Sequence, residues 1–227
     1  MSWLERILPA IAVRINLAGY YRREDEALRL VNGEVRIEND RVVLPLNPYW
    51  ANALTGKTTG AEITVERRAV NGLNGWLSYT WNDSRYDDPG TGGHPPESFP
   101  SDFDQRHTVN AYVAYRWSGR TSLSARMRYG SNFPITGYIA EDANGYLLSD
   151  QRNDTRLPAY ARLDLRAERA FTYRKSRLTL FLEVVNATNH DNYRYNSPGI
   201  NTTTRRVFGP IEELFPLLPV AGILIEF

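Results

Sequence analysis

Charged side chains recur at every second residue in one stretch of this chain, a spacing that could bind an anionic ligand. Arg162, Asp164, Arg166 and Glu168 alternate there with small or apolar residues. Guanidinium and carboxylate groups on one face can bind a charged partner, or they can neutralise one another across neighbouring strands. We favour mutual neutralisation and keep ligand binding as the alternative. The candidate set is Arg126, Arg128, Arg162, Asp164, Arg166, Glu168 and Glu183.

Other residues that could support catalysis or metal binding lack the spacing that such sites need. The histidines, His94, His107 and His190, have no ligand-like spacing to one another or to a carboxylate on the same strand. Asp102 and Asp104 could form a calcium-binding loop, although turn capping is the simpler interpretation. Nothing resembles an activated serine nucleophile, and a membrane hydrolase is kept only as an alternative. The sequence therefore predicts no catalytic residue, no metal site and no cofactor.

The charged stretch belongs to a predicted β-hairpin over residues 157–189. Ala161, Leu163, Leu165 and Ala167 alternate with the charges, and the alternation resumes after residues 172–176. A period of two is typical of strands, whose successive side chains point to opposite faces. Each arm has about ten residues, the length of a tilted strand that crosses a bilayer. In a membrane barrel the apolar face would meet lipid and the charged face would line the lumen.

The same alternation predicts about eight meandering antiparallel strands and an all-β fold. Besides the two hairpin arms, the strands cover residues 9–21, 58–68, 73–82, 105–117, 121–130 and 219–227. Within the connection 22–57, segments 27–31, 34–38 and 41–46 could form short hairpin arms around Asn32-Gly33 and Asn39-Asp40.

Short and long connections alternate between the predicted strands. Residues 69–72, 118–120 and 172–176 form tight turns, whereas residues 22–57, 83–104, 131–158 and 190–218 are long. In a meander, all the long connections then fall at one end of the sheet. Tight turns at one end and extended loops at the other are typical of outer-membrane β-barrels. Long loops are otherwise unusual in compact domains.

Composition excludes several other classes of protein. The chain has 227 residues, a formal net charge of +1 and no cysteine. Its near-zero charge gives no reason to expect a nucleic-acid partner, and the lack of cysteine excludes disulfides and thiol chemistry. No apolar stretch is long enough for a transmembrane helix. Residues 1–13 lack the basic start and cleavage site of a signal peptide. We therefore expect a piece of a longer protein if the chain belongs to an outer membrane.

Aromatic residues occur where the predicted strands would cross the two membrane interfaces. They are Tyr20, Tyr21, Trp81, Tyr129 and Tyr160 near the long loops, and Trp117, Phe171 and Tyr173 near the short turns. The chain ends on Phe227, with Ile223 and Ile225 on the same face of the last strand. This ending resembles the signal that the barrel assembly machinery recognises.

Several segments resemble, in this order, the C-terminal barrel region of TonB-dependent outer-membrane receptors. They are FPSDFDQRHTVN at 99–110, RYGSNFPIT at 128–136, LPAYARLD at 157–164 and FLEVVN at 181–186, followed by the terminal phenylalanine. The resemblance covers the chain from about the second predicted strand to the end. Members of this family close a barrel of about 22 strands around an N-terminal plug domain.

The resemblance implies TonB-dependent uptake of a scarce nutrient, such as an iron chelate, a vitamin or an oligosaccharide, across the bacterial outer membrane. The implied partners are outer-membrane lipid, the N-terminal plug, the remaining barrel strands and the TonB energy-transducing complex acting through the full-length receptor. Residues 1–227 would then be the C-terminal part of the barrel, with no plug domain and no signal peptide. We expect no enzymatic activity.

Two alternatives come from other functional classes. One is a self-contained small outer-membrane barrel with a structural or adhesive role, since eight strands suffice for closure. The other is a soluble β-barrel or sandwich that binds a ligand. Bulky inward side chains would crowd an eight-stranded interior, so we expect an open sheet. A ladder between residues 10–20 and 219–227 would instead favour the small barrel.

Overall fold

The structure, a computed structural model that describes residues 2–8 and 12–227, consists almost entirely of antiparallel strands. The strands are β1 (Ser2–Leu8), β2 (Val13–Val31), β3 (Arg36–Glu38), β4 (Arg41–Val43), β5 (Tyr49–Val70), β6 (Leu73–Asp88), β7 (Glu97–Pro100), β8 (His107–Arg116), β9 (Thr121–Gly130), β10 (Ile139–Asp142), β11 (Gly145–Leu148), β12 (Tyr160–Tyr173), β13 (Ser176–Val185), β14 (Tyr193–Tyr195), β15 (Gly199–Asn201), β16 (Arg206–Phe208), β17 (Ile211–Glu213) and β18 (Leu218–Glu226). Ten of them form one sheet in the order β1-β2-β5-β6-β8-β9-β12-β13-β18, with β7 paired to β6 beside this path. No helix in the described part of the chain is long and apolar enough to span a bilayer.

Directly paired residues form rows that cross the main sheet on alternate faces. One row, on the apolar face, joins Leu17, Ile63, Tyr79, Val109 and Tyr129. The neighbouring row, on the polar face, joins Asn16, Thr64, Ser78, Asn110 and Arg128. The apolar face stays open: Leu165 is 43% exposed and Ile223 is 66% exposed. Soluble monomers rarely expose a contiguous apolar surface that crosses a whole sheet. We therefore call this the outward face, the one that would meet lipid.

The two ends of the sheet remain apart. Within the described residues no ladder joins β1 to β18. Residues 13–19 pair with β1 and β5 instead, and β18 pairs with β13. The expected open sheet is therefore confirmed for this structure, and the ladder that would favour a closed eight-stranded barrel is not formed. Residues 9–11 of the first predicted strand lie outside the described residues.

Most of the predicted strands are confirmed. Strands β8, β9, β12, β13 and β18 lie within two or three residues of the predicted bounds. The sequence missed β1, the short β7 and the short strands of the last two long connections, and it ended β6 too early. It also started β5 too late, at residue 58 instead of Tyr49, so the predicted long connection 22–57 is wrong: most of it is strand. The prediction that residues 27–31 form a hairpin arm is wrong, because they extend β2 and pair with β5. The arm around Asn39-Asp40 is confirmed as the β3–β4 hairpin.

The tight turns join strands at one end of the sheet, as predicted. Val70 pairs with Leu73 across Asn71-Gly72, whose φ angles are 52° and 79°. Positive φ at both central residues is what a type I′ hairpin turn requires, and an Asn-Gly pair adopts it easily. Beyond the turn the ladder shifts its register between Val70 and Arg67 and then runs regularly from Arg67–Gly75 to Thr55–Asp87.

The long connections fold together into a cap at the opposite end. Strands β10, β11, β16 and β15 form a small sheet, and β14 pairs with β17. Between these elements lies a cluster of buried apolar side chains, all at most 6% exposed: Ile135, Ile139, Leu148, Leu157 and Val207. Arg206 donates two hydrogen bonds to Asp142, at 2.9 and 3.0 Å, and holds the pKa of this carboxyl below its usual range. The buried apolar cluster of the described residues therefore lies in the cap rather than in the main sheet.

The aromatic residues near the ends of the strands divide between the two faces. Trp117 and Tyr173 are both 72% exposed near the tight turns, and Tyr21 is 65% exposed near the cap. Tyr20 lies on the polar face instead, where its hydroxyl donates to Asn82 Oδ1 at 3.3 Å. The outward members fit interfacial anchors, whereas Tyr20 helps to organise the polar face.

Candidate functional site

The predicted charged residues meet on the polar face where β9, β12 and β13 lie side by side. Register places Asp164 opposite Arg126, and Arg166 opposite Glu183. A hollow of about 330 Å³ is lined by Arg126, Asp164, Arg166, Glu168 and Glu183 together with uncharged neighbours. The remaining two candidates, Arg128 and Arg162, face each other one step nearer the cap. All seven residues thus share one face, although they do not line one hollow.

Ion pairs within and between strands neutralise much of this charge. Arg166 lies 2.6 Å from Glu168 on its own strand and 3.0 Å from Glu183 on β13. Arg162 lies 2.7 Å from Asp164. The prediction of cross-strand pairing is confirmed for Arg166 and Glu183, whereas the closest contact of Arg162 is along its own strand. Ligand binding by this set stays a prediction.

The cap contains a larger cavity. A cleft of about 1020 Å³ lies between the loop hairpin β3–β4, the segment around His94 and the loop at residues 150–154. Its walls carry both signs of charge, contributed by residues such as Arg36, Glu38, Glu97 and Arg152. A pocket of this size and mixed polarity suits a polar ligand of small-molecule size.

Arg29 organises one wall of the cleft. It is 5% exposed and lies 3.1 Å from Asp88, 2.9 Å from Glu97 and 2.8 Å from the Tyr138 hydroxyl. The Tyr138 hydroxyl in turn donates to Glu97 at 2.8 Å. Burial raises the pKa of Tyr138 to about 12, and the Glu97 carboxylate acts in the same direction. A buried guanidinium with several partners fixes the wall rather than offering a free charge.

His94 sits at the other wall, within a second polar network. One ring nitrogen lies 3.0 Å from Glu38 and the other lies 2.7 Å from the Asn32 amide oxygen. Arg36, which is 4% exposed, stacks over the Tyr138 ring at 5.8 Å and lies 2.8 Å from Glu38. These contacts join the β3–β4 hairpin to the wall that Arg29 organises.

A second, more aromatic hollow of about 380 Å³ adjoins the cleft. Its lining includes Trp50, Leu28 and Phe103, which are 66%, 63% and 79% exposed. Arg152 lines both cavities: it ion-pairs with Glu34 and lies over the Phe99 ring at 5.3 Å. The two cavities therefore share the Arg152 guanidinium group as part of their walls.

Asp102 and Asp104 act within the protein framework. Asp104 is fully buried; it accepts the Ser84 N–H at 2.8 Å and ion-pairs with Arg106 and Arg156. Asp102 accepts a hydrogen bond from Asn153 at 2.6 Å. Among the described residues no group of histidines and carboxylates is arranged to hold a metal ion.

The cap residues Arg29, Arg36, Glu97, Tyr138 and Arg152 were not recognised from the sequence. Arg29 and Tyr138 are 109 positions apart, and Arg152 and Glu34 are 118 apart. No local spacing marks such a site, because only the folding of the loops brings these residues together. The one available signal was the unusual length of the connections that carry them.

An antiparallel meander with an open apolar face, a charged opposite face, tight turns at one end and a folded cap at the other defines a portion of a transmembrane β-barrel. The family model for TonB dependent receptor-like β-barrels matches residues 11–187. The chain therefore belongs to the TonB-dependent receptor family, whose members are receptors and transporters of the outer membrane.

Comparison with solved structures shows the same fold. The chain is similar to BauA, the ferric preacinetobactin receptor from Acinetobacter baumannii, with a TM-score of 0.50 and 12% sequence identity. The match covers 94% of this chain and 27% of the receptor, so the chain spans about a quarter of that protein's length. No curated protein sequence matches the chain significantly.

Proposed function

We propose that residues 1–227 form the C-terminal part of a receptor barrel in the bacterial outer membrane, and that the cap cleft binds a scarce nutrient before TonB-dependent uptake. The nutrient would be an iron chelate, a vitamin or an oligosaccharide. The complete receptor would supply the remaining strands and the plug and would contact the TonB complex. The strand that ends near Phe227 would be recognised by the barrel assembly machinery.

The observation that carries this proposal is the position of the cleft. It lies in the cap, and the adjoining hollow includes Tyr86, whose hydroxyl donates to Glu24 at 2.8 Å. Tyr86 occupies alternate positions with Thr80 and Ser84 on β6 and therefore belongs to the polar face. A ligand held in this hollow would thus lie at the mouth of the polar face, which would be the lumen side of a barrel.

The membrane orientation can be tested with single cysteines, because the natural chain has none. Ala143→Cys lies at the exposed tip of the β10–β11 hairpin, and Gly119→Cys lies in a tight turn with open space around it. On intact cells that express the protein from its own locus, we expect a membrane-impermeant maleimide to label only the cap position. The turn position should react after the outer membrane is permeabilised. Labelling of both positions on intact cells would contradict the proposed orientation.

Uptake can be tested with labelled iron chelates, cobalamin and oligosaccharides in the same cells. Arg152→Ala removes the group shared by the two cavities, and Asp191→Asn changes an exposed charge outside both. We expect one class of nutrient to be taken up by the unchanged strain and by the Asp191 variant, and much less by the Arg152 variant. If a strain that lacks the gene takes up every compound as well as the unchanged strain does, the transport proposal is wrong.

A further inference from the structure

Two exposed aromatic rings line the hollow of about 380 Å³ beside the cleft, which we call the aromatic hollow. Trp50 pairs with Leu30 in the β2–β5 ladder, so its backbone is fixed. Phe103 lies in a tight turn, where its N–H donates to Ser101 Oγ at 3.3 Å and its carbonyl accepts the Gln105 N–H at 2.9 Å. Exposed apolar side chains grouped around one cavity are typical of a ligand-binding groove. The rings therefore form two platforms that are in place before a ligand binds.

The ionic groups of the aromatic hollow are already paired within the protein. Arg152 ion-pairs with Glu34 and lies 3.5 Å from Asp102. The other guanidinium group of the lining belongs to Arg29, which is buried against its own carboxylate partners in the cleft wall. Among the described residues, two guanidinium groups thus face two carboxylates in this lining, and none of the four is left without a partner. Such a balance is complementary to a neutral ligand.

The paired carboxylates can still accept hydrogen bonds from a ligand. Asn153 and Arg152 both reach the same oxygen of Asp102, Oδ1, at 2.6 and 3.5 Å. The Asp102 side chain is 39% exposed and that of Glu34 is 24% exposed. Because a carboxylate has about four lone-pair sites, each of these two groups retains acceptors for hydroxyl groups. The aromatic hollow therefore offers rings for an apolar surface and acceptors for hydroxyls side by side.

We propose that the aromatic hollow binds a sugar ring of a neutral oligosaccharide, an inference that rests on the proposed function of the cap and names its class of nutrient. The C–H groups on the face of a sugar ring carry partial positive charge and pack on the negative face of an aromatic ring. The hydroxyls at the edge of the sugar can donate to Asp102 and Glu34. An iron chelate with net negative charge would instead need a cation that the protein leaves unpaired.

The arrangement of the two cavities suits a ligand built from repeated units. Arg152 forms part of both walls, so the aromatic hollow and the cleft of about 1020 Å³ adjoin each other. One sugar unit in the aromatic hollow leaves the following units free to extend into the cleft. The cleft wall supplies polar side chains of both signs, such as Glu38 and Arg36, which bind hydroxyls as acceptors and donors.

Binding of the full chain, in micelles of a detergent without sugar groups, to an array of neutral oligosaccharides tests the proposal. The glycan that binds most strongly is then titrated calorimetrically. Trp50→Ala and Phe103→Ala should each weaken its binding roughly fivefold to tenfold, the effect of losing one stacking contact. Trp50→Tyr keeps a ring and should bind nearly like the unchanged chain. The matched control is Phe208→Ala, which removes an exposed ring of the cap outside both cavities and should leave binding unchanged.

The salt dependence of binding gives a second measurement that needs no variant. Because a neutral ligand has no charge to screen, the dissociation constant should change less than about twofold between about 50 and 500 mM sodium chloride. A steep salt dependence would contradict the proposal.

Three further results would overturn the aromatic hollow as a sugar site. They are binding of no glycan on the array, equal effects of Trp50→Ala and Phe208→Ala, and Trp50-dependent binding of a ferric tris(catecholate) or of cyanocobalamin in place of any glycan. The last result would leave the receptor function standing with another nutrient. Failure of the receptor function itself would appear in the uptake experiment, if a strain without the gene took up the bound glycan at the unchanged rate.

Discussion

The guanidinium carbon of Arg166 lies 3.9 Å from the centroid of the Phe181 ring on the neighbouring strand. Phe181 in turn pairs with Gly222 of β18, and its ring occupies the space that a glycine side chain leaves open. The stack therefore links three strands on the polar face. It also connects the charged cluster to the end strand of the sheet.

Phe181→Ala should lower the free energy of unfolding by about 1–2 kcal/mol, because the cation–π contact and the cover over Gly222 are both lost. Reversible urea unfolding of the chain in lipid or detergent measures this. Thr179→Ala, two residues away on the same face, is the matched control and should change stability by much less. If the two variants lose the same free energy of unfolding, the stack of Arg166 on Phe181 does not contribute to stability.

Arginine placed on the outward face should be far more harmful than arginine on the polar face. Leu165→Arg or Val113→Arg should cost roughly 2–4 kcal/mol at the bilayer midplane, because the charge would enter hydrocarbon. Thr179→Arg on the polar face should cost little. The same unfolding measurement in lipid vesicles compares them, and equal costs on the two faces would contradict the assignment of the outward face.

Asp104→Asn should loosen the loop that precedes β8. The carboxylate is fully buried and holds Arg106, Arg156 and the Ser84 N–H. Removing one partner of a buried charge network typically lowers the free energy of unfolding by about 3–5 kcal/mol. Because both guanidinium groups reach solvent here, we expect a loss of about 2 kcal/mol. Limited proteolysis should show faster cleavage in residues 99–106, whereas Asp191→Asn should leave the cleavage rate unchanged.

The ionisation of Tyr138 should make the cap less stable at high pH. The pKa of Tyr138 is raised from its usual value of 10.0 to about 12 in the folded protein, so the folded state holds this proton more tightly than the unfolded state. The corresponding stability is fully present below pH 10 and is lost as the pH rises toward about 12. Ultraviolet titration of the unchanged chain against Tyr138→Phe isolates this phenol. A difference curve centred near pH 10 would contradict the expectation.

Phe227→Ala should lower the amount of protein that reaches the outer membrane, if the last strand is the one that the assembly machinery recognises. Ile223 and Ile225 are 66% and 53% exposed on the same strand and remain in this variant. Immunodetection in membrane fractions measures the change, with Glu226→Gln as control. Unchanged levels in both variants would exclude Phe227 as a required part of the signal.

Local pattern predicted the wall of the barrel well. Alternation in residues 161–168 and 177–184 identified β12 and β13, because one face of each strand meets a uniformly apolar surrounding. The tight turn at residues 69–72 was also predicted, because only a short segment separates two alternating runs; the structure shows that Asn71-Gly72 sets its geometry. These features depend on a few neighbouring residues, and the sequence displays them directly.

Long-range packing could not be predicted in the same way. Residues 27–31 were assigned to a loop hairpin because Asn32-Gly33 follows them, yet pairing with β5 decides their conformation. The cluster of Ile135, Leu148 and Val207 comes from two separate connections, 131–158 and 190–218, and shows no periodicity. The arginine networks of the cleft depend on the same non-local folding, so the site was missed together with the cap that builds it.

The buried cluster of the cap has a consequence for recognition. Loops that fold around their own apolar core keep their conformation in water, whether or not a ligand is present. Ordering a flexible loop on binding reduces affinity through lost conformational entropy, and a preorganised site avoids most of that loss. If the cleft binds a nutrient present at very low concentration, its walls would already be in place, and Ile135 and Ile139 would support them without lining the cleft themselves.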